Sequence, residues 1–221
     1  ISFSDLNEEG MLIEGFDKPS TYIEIYNHPY YVEHMEKLGA YKVVDWNCFR
    51  LTMPDKVDEK LQRLSDKIAA KNGYTILDVR YYLKHDKKKL SEYIMQCLEI
   101  LDEAYSPLYG TSPLSEKQKR REMKVIYQAL IPEFAALIMK DDKVIAYGFL
   151  IPSMNKVLQK GRGHVIPRAL KEYINAFKNV EVADMMSIGI TKEHNNKGAV
   201  AMIVTHCLKG LIQHNVKFVE G

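Results

Sequence analysis

The stretch Ala183-Asp184-Met185-Met186-Ser187-Ile188-Gly189-Ile190-Thr191-Lys192-Glu193-His194-Asn195-Asn196-Lys197-Gly198 decides how this chain is read. Its first eight residues form a short apolar run bounded by a polar turn, too short for a stable helix, and predict a buried strand. Residues 191–198 contain no apolar side chain. Beyond them Val200, Ile203, Val204, Cys207, Leu208, Leu211 and Ile212 recur at i, i+3, i+4, i+7, i+8, i+11 and i+12. That is the stripe of a helix laid on a sheet, with Thr205, Lys209 and Gln213 on the opposite, wet face. Each stripe residue is worth about 1.5–3 kcal/mol when fully buried, most of it offset by ordering entropy. Asn215 suits a left-handed helix stop, and Val216-Lys217-Phe218-Val219 alternates like a strand with one dry face.

The chemistry of this strand–loop–helix–strand unit sits at its loop. The first backbone N–H groups of a helix have no internal partner, and the small residues Gly198 and Ala199 leave the main chain bare there. A phosphate can approach such a terminus, favoured by the positive end of the helix dipole, and Lys192 and Lys197 add charge. A plain connecting turn is also polar and also carries a glycine, so spacing alone leaves both readings open.

Working outward, residues 134–139, the pair Asp141-Asp142 and residues 143–151 make a strong hairpin signal. Residues 74–83 are expected as a strand. A helix follows on Leu90, Ile94, Cys97, Leu98, Leu101 and Tyr105, ending before Pro107. Ser115 with Gln118 is a capping box for another helix, carrying Met123, Ile126, Tyr127 and Leu130. Its cations Lys117, Lys119, Arg120, Arg121 and Lys124 are interspersed with Glu116 and Glu122, which reads as a solvated helix face. Pro167 is expected to open a helix on Leu170, Tyr173, Ile174 and Phe177. Nearer the start, residues 11–16 suggest a strand, residues 27–39 a helix with Tyr31, Met35 and Leu38 on one stripe, and residues 41–51 a long or bent strand. Asp55 is expected to cap a helix on Val57, Leu61, Leu64 and Ile68 that Asn72-Gly73 stops. The Pro54-Asp55 step is the expected boundary between a first piece, residues 1–54, and a second, residues 55–221.

A chain of 221 residues buries about 70% of its unfolded surface, enough for a core without staples. With 31 basic and 29 acidic residues the net charge is +2, which gives no case for bulk nucleic-acid binding. The three cysteines lack metal-ligand spacing, and Cys97 and Cys207 fall on helix stripes, the pattern of reduced core residues in a cytoplasmic protein. No apolar run approaches the ~18 residues of a membrane span, and no metal site is expected. The sequence also lacks a P-loop, a Gly-x-Ser-x-Gly elbow and a paired-His zinc helix.

The order β-α-α-β-β-(inserted α)-β-loop-α-β over residues 74–221 resembles the GNAT superfamily of acyl-CoA-dependent N-acyltransferases. In that family the loop after the fourth strand reads (Arg/Gln)-x-x-Gly-x-(Gly/Ala), and its amides hold the CoA pyrophosphate. The aligned run here is Asn195-Asn196-Lys197-Gly198-Ala199-Val200. Gly198 matches the central glycine, while Asn195 stands in place of Arg or Gln and Val200 in place of a tiny residue. Residues 10–51 carry a second resemblance. Gly15-Phe16-Asp17, Tyr26-Asn27-His28-Pro29-Tyr30-Tyr31 and Asp45-Trp46 look like a group of bacterial proteins built from two GNAT-like halves, of which this chain would hold the end of the first and most of the second.

The resemblance implies an α+β fold, a mixed and mostly antiparallel central sheet flanked by helices. It also implies acetyl-CoA or another acyl-CoA as co-substrate, with Ile188, Gly189, Ile190, Asn195, Asn196, Lys197, Gly198, Ala199 and Val200 as its contacts. The implied reaction is attack of a small-molecule or peptidyl amine on the thioester, which needs a base, an oxyanion donor and an acid for the leaving thiolate. Asp184 and Glu193 are the candidate bases, beside the simpler readings of a strand-end carboxylate and a solvated turn. The tyrosine that often supplies the acid in the family is Met35 here. Tyr31, with Tyr30 and His34, is the neighbouring candidate to replace it. Two function classes follow: an acyltransferase, or a GNAT-fold binding module that serves an active partner half or a second copy of itself. Neither reading calls for nucleic acid or membrane as a partner.

Overall fold

The computed structural model describes residues 10–21, 24–162, 164 and 169–221. In chain order the elements are α1 (Tyr30–Lys37), β1 (Arg50–Thr52), α2 (Glu59–Asn72), β2 (Thr75–Ile76), α3 (Val79–His85), α4 (Lys87–Tyr105), α5 (Glu116–Ala129), β3 (Ala135–Lys140), β4 (Lys143–Pro152), α6 (Asn155–Gly161), α7 (Leu170–Lys178), β5 (Val182–Ile190), α8 (Ala199–Gln213) and β6 (Phe218–Glu220). Single 3-10 turns at Pro132–Phe134 and Lys192–His194 precede β3 and α8.

Six strands form one sheet in the order β1-β6-β5-β4-β3-β2. All neighbours run antiparallel except β5 and β6, which α8 joins as a parallel crossover. This is the expected α+β class. Asp141 and Asp142 take φ of 50° and 60°, the double left-handed turn that a two-residue hairpin requires, and Ile138 then pairs with Ala146. On the next ladder Gly148 pairs with Ile188.

Each face of the sheet has its own core. On one side α8 packs on β3 and β4, and its Met202, Ile203, Cys207 and Leu211 join Phe134, Ile138, Ala146 and Leu150. On the other, α4 lies across β4 and β5, so Leu90, Ile94, Cys97, Leu98 and Leu101 meet Leu137, Tyr147 and Phe149. Two glycines permit the closeness. A Cβ on Gly148 would run into Ile203, and one on Gly210 would run into the backbone carbonyl of Glu133.

Several expectations change. Thr205 is buried because α2 packs on α8 from outside, so α8 is covered on two sides and its hydroxyl returns to the Ala201 carbonyl at 2.6 Å. Residues 74–83 are a strand only over Thr75–Ile76. Asp78 then accepts from the Tyr81 N–H at 2.9 Å and starts α3, whose Val79, Tyr82 and Leu83 suit a helical period as well as an alternating one. The cap of α2 is Asp58, not Asp55. Pro167 lies outside the described residues, and the helix expected from it is described over Leu170–Lys178. Residues 11–16 form no strand, and of residues 41–51 only the end pairs, Phe49 with Gly221 and then Arg50 and Leu51 within β1.

Candidate functional site

The loop between β5 and α8 is held from three directions. Thr191 Oγ1 lies 3.0 Å from His194 Nδ1, and the buried His194 ring meets Tyr74 edge-on at 5.7 Å. Burial holds the His194 imidazole below the ordinary histidine range, and the nearby Glu193 charge opposes that only in part. From α4, Glu103 Oε1 accepts the Lys192 N–H at 3.3 Å. From α2, Asn72 Nδ2 reaches the Lys197 carbonyl at 3.5 Å.

Gly198 is the N-cap of α8, at φ 87° in the left-handed region. A Cβ there would sit 2.6 Å from Ile68 Cδ1. The glycine therefore serves both the turn and the seating of α2 (two local reasons for its presence). No side chain caps α8, and its first turn carries no acidic residue. Ala201 N–H bonds back to the Gly198 carbonyl at 2.9 Å. Among the described residues the N–H groups of Ala199 and Val200 find no such partner, which leaves two donors at the positive end of the helix. Ala199 is buried, and Val200, at 44% exposure, stands over the terminus.

The strand leading into this loop is not regular. Phe149 pairs with Ser187 and Leu150 with Met185, so Met186 is an extra residue in β5. Such a bulge takes one residue out of the ladder and bends the strand. Met186 turns toward the α4 core, and Gly189 lies on that side too, where a Cβ would meet Tyr147 and Ile100. Met185 and Ile188 are exposed on the strand. Sequence reasoning missed both the bulge and the Glu103 contact. Register is set by the pairing partner, so no local signal marks Met186, and Glu103 lies 89 positions from Lys192 in the chain.

The candidate residues divide into a gathered set and a scattered one. Ile188, Gly189 and Ile190 close β5, while Asn195, Asn196, Lys197, Gly198, Ala199 and Val200 form the approach to α8, with Glu193 exposed beside them. Asn195 Oδ1 accepts the Asn196 N–H at 2.9 Å. Asp184 is 1% exposed, placed between Ile151 of β4 and Glu220 of β6. Glu220 is itself buried and bonds Arg50 Nε at 2.6 Å. Tyr31 lies on α1, which buries none of its residues, and its ring packs on Tyr30 at 4.9 Å. Among the described residues no group of three His, Cys, Asp or Glu side chains is placed to hold a metal ion, and no helix is long and apolar enough to cross a membrane.

No family model matches the chain. It is similar to Protein YghO of Escherichia coli, 24% identical over 191 residues, covering 85% of this chain and 47% of that protein. It is also similar to a protein of Caulobacter vibrioides named Bacterial ceramide synthase, 22% identical over 163 residues, covering 73% of this chain and 41% of that one. The chain thus spans less than half the length of these curated relatives. Among solved structures it is similar to a GCN5-related N-acetyltransferase from Sphaerobacter thermophilus (TM-score 0.48, 12% identity, 86% of this chain and 45% of that one). A second is the GCN5-related glucosamine N-acetyltransferase region of a fungal multi-domain enzyme (TM-score 0.47, 12% identity, 91% of this chain and 22% of that one).

Proposed function

We propose that the chain carries an acyl-CoA site of the N-acyltransferase kind, moving an acyl group from the thioester to an amine. The uncapped start of α8, set at the end of a bulged strand, is the observation that supports this reading most. A pyrophosphate needs several N–H donors together. The Val200 amide is one at the exposed start of α8, that of the buried Ala199 opens only if Ile68 shifts, and Lys192 and Lys197 are exposed beside them. In the transfer the amine nitrogen attacks the thioester carbonyl carbon, the C–N bond forms, the C–S bond breaks, and the departing thiolate takes up a proton. Met186, set out of the ladder, offers its N–H to the carbonyl oxygen as charge develops there. Glu193 is the solvent-facing carboxylate to receive the ammonium proton. Asp184, enclosed between β4 and β6, sits at the junction of the parallel pair in this reading rather than at the substrate.

A second reading, a binding module with weak or no turnover, is favoured by two specific contacts. Val200 places two methyls where a phosphate must approach, and Ile68 fills the bare side of Gly198. Release of free thiol from acetyl-CoA and from a long-chain acyl-CoA, across a panel of amines, separates the two. The panel includes a long-chain amino alcohol, because one relative is named a ceramide synthase. Amine-dependent release that Val200→Asp abolishes is the expected result. Release no faster with any amine than without, from a chain that still binds CoA, would assign the binding module.

A further inference from the structure

On α5 the residues Lys117, Arg120, Arg121 and Lys124 fall at i, i+3, i+4 and i+7, and all four are exposed. Their side chains, with Glu116, line one open stretch of the surface. Among the described residues none of the four forms an ion pair or a hydrogen bond. Some cations elsewhere are engaged, such as Arg50 with Glu220, Arg63 with Glu59, Arg80 with Glu133 and Lys156 with Glu181. What sets this row apart is that four unpaired cations share one helix face. The remaining cation of the same helix, Lys119, turns inward instead to Asp102 at 2.9 Å, both partners largely covered. The helix therefore separates a structural lysine from a row of unpaired ones. At 1.5 Å rise per residue that row spans about 10 Å along the helix.

Exposed apolar side chains accompany the row on the same helix and in the turn that leads into it. Val125 continues it on α5, and Leu108 and Tyr109 stand in the turn before the helix, all three exposed. That turn is fixed to the helix rather than free. Asp102 accepts both the Leu114 N–H, at 2.9 Å, and the Lys119 ammonium, while Thr111 Oγ1 bonds the Tyr105 and Leu108 carbonyls. Cations on one helix face beside exposed Leu, Tyr and Val side chains make a surface suited to the headgroup boundary of a bilayer.

We propose that α5 and the preceding turn dock this chain on an anionic lipid surface, with Lys117, Arg120, Arg121 and Lys124 on the headgroups and Leu108, Tyr109 and Val125 at the acyl boundary. The near-neutral balance of the whole chain hides this face, which sets four cations against the one exposed acid Glu116. The lipid surface fits better than nucleic acid, since the flanking groups are apolar and the row is short and convex, without a groove to track a phosphate backbone. The inference does not depend on the acyl-transfer reading.

Co-sedimentation of the 221-residue chain with phosphatidylcholine vesicles, with and without phosphatidylglycerol, tests it. Each cation near an anionic surface contributes about fivefold in partitioning. Replacing Arg120 and Arg121 together by Gln, which keeps helix propensity, should weaken binding to the phosphatidylglycerol vesicles about twenty-fivefold. Replacing Lys171 and Lys178 of α7 together by Gln removes the same charge elsewhere and should leave binding within about twofold. Tyr109→Ser should weaken it without changing its salt dependence. Circular dichroism melting on each variant confirms the fold. Three outcomes overturn the proposal: equal binding to neutral and anionic vesicles, equal loss in the α7 control, or binding to a DNA duplex that exceeds vesicle binding and falls with the same arginines.

Discussion

Residues 74–221 and residues 10–49 are apolar to a similar fraction, about half of each, and have opposite fates. In the first, every strand finds a neighbour and both sheet faces are covered by helices. In the second, Tyr30, Tyr31, Met35, Leu38, Tyr41, Val43, Val44, Trp46 and Phe49 all remain exposed. Residues 41–51 are rich in strand-forming side chains, yet the backbone pairs with β6 only from Phe49 onward, where Phe49 and Gly221 exchange hydrogen bonds. An apolar pattern defines a face, and the face becomes structure only where a second surface buries it. Residues 10–52 divide accordingly: β1 pairs at the sheet edge, while α1 buries none of its residues. The helix that does cover the back of α8 is α2.

The sharpest way to break this comparison is to truncate one large side chain on each side of it. Phe134 is fully buried, and Phe134→Ala should cost about 3–5 kcal/mol in urea unfolding. Trp46, 58% exposed, should cost within about 0.5 kcal/mol when replaced by alanine. A large loss at Trp46 would mean that the segment is packed after all.

A smaller effect tests the closeness of the core. In an exposed helix interior Gly→Ala stabilises by about 1 kcal/mol. Gly210→Ala should instead destabilise by about 1–3 kcal/mol, because the added methyl meets the Glu133 carbonyl at the base of β3. A raised melting temperature would show that α8 sits farther from that turn.

The boundary itself is the smallest and most local test. Phe49 N–H bonds the Gly221 carbonyl and Met53 N–H the Lys217 carbonyl, both at 2.9 Å. Amide exchange should be slow at those two positions and fast over residues 41–47. Arg50→Ala, which leaves the buried Glu220 carboxylate without its cation, should release both amides while leaving β3 and β4 protected. Protection extending through residues 41–47 would restore the long strand.

Much of this architecture was legible because its signals are local. Asp141-Asp142, Ser115 with Gln118 and Gly73 each act within one turn, and each is where the residues predict. Of the α8 stripe Ile203, Cys207 and Leu211 are buried, whereas Val200 and Val204 are exposed and Met202 takes the buried side instead. What failed depends on partners distant in the chain. Thr205 reads as wet until α2 is laid over it, and residues 74–83 fit two periods until Asp78 caps one of them. The candidate site divides in the same way. The loop from Asn195 to Val200 is contiguous, so its gathering at the start of α8 could be read directly. Asp184, Tyr31 and Glu193 are candidates by residue type and place in the chain, and neither says that β4 and β6 enclose the first or that α1 stands exposed with the second. The Met186 bulge has no composition signal, because it exists only as a mismatch between two strands.

The central claim is that the N-terminus of α8 receives the phosphates of an acyl-CoA and that Val200 limits their approach. Calorimetric titration of CoA into the unmodified chain, Val200→Gly and Val200→Asp tests it most directly. A carboxylate in the first turn favours the helix itself, so Val200→Asp keeps the fold while repelling the ligand. The account predicts weak binding to the unmodified chain, severalfold tighter binding to Val200→Gly, and a loss of about tenfold or more in Val200→Asp. Tight binding that neither substitution alters, or none in any of the three, would contradict it.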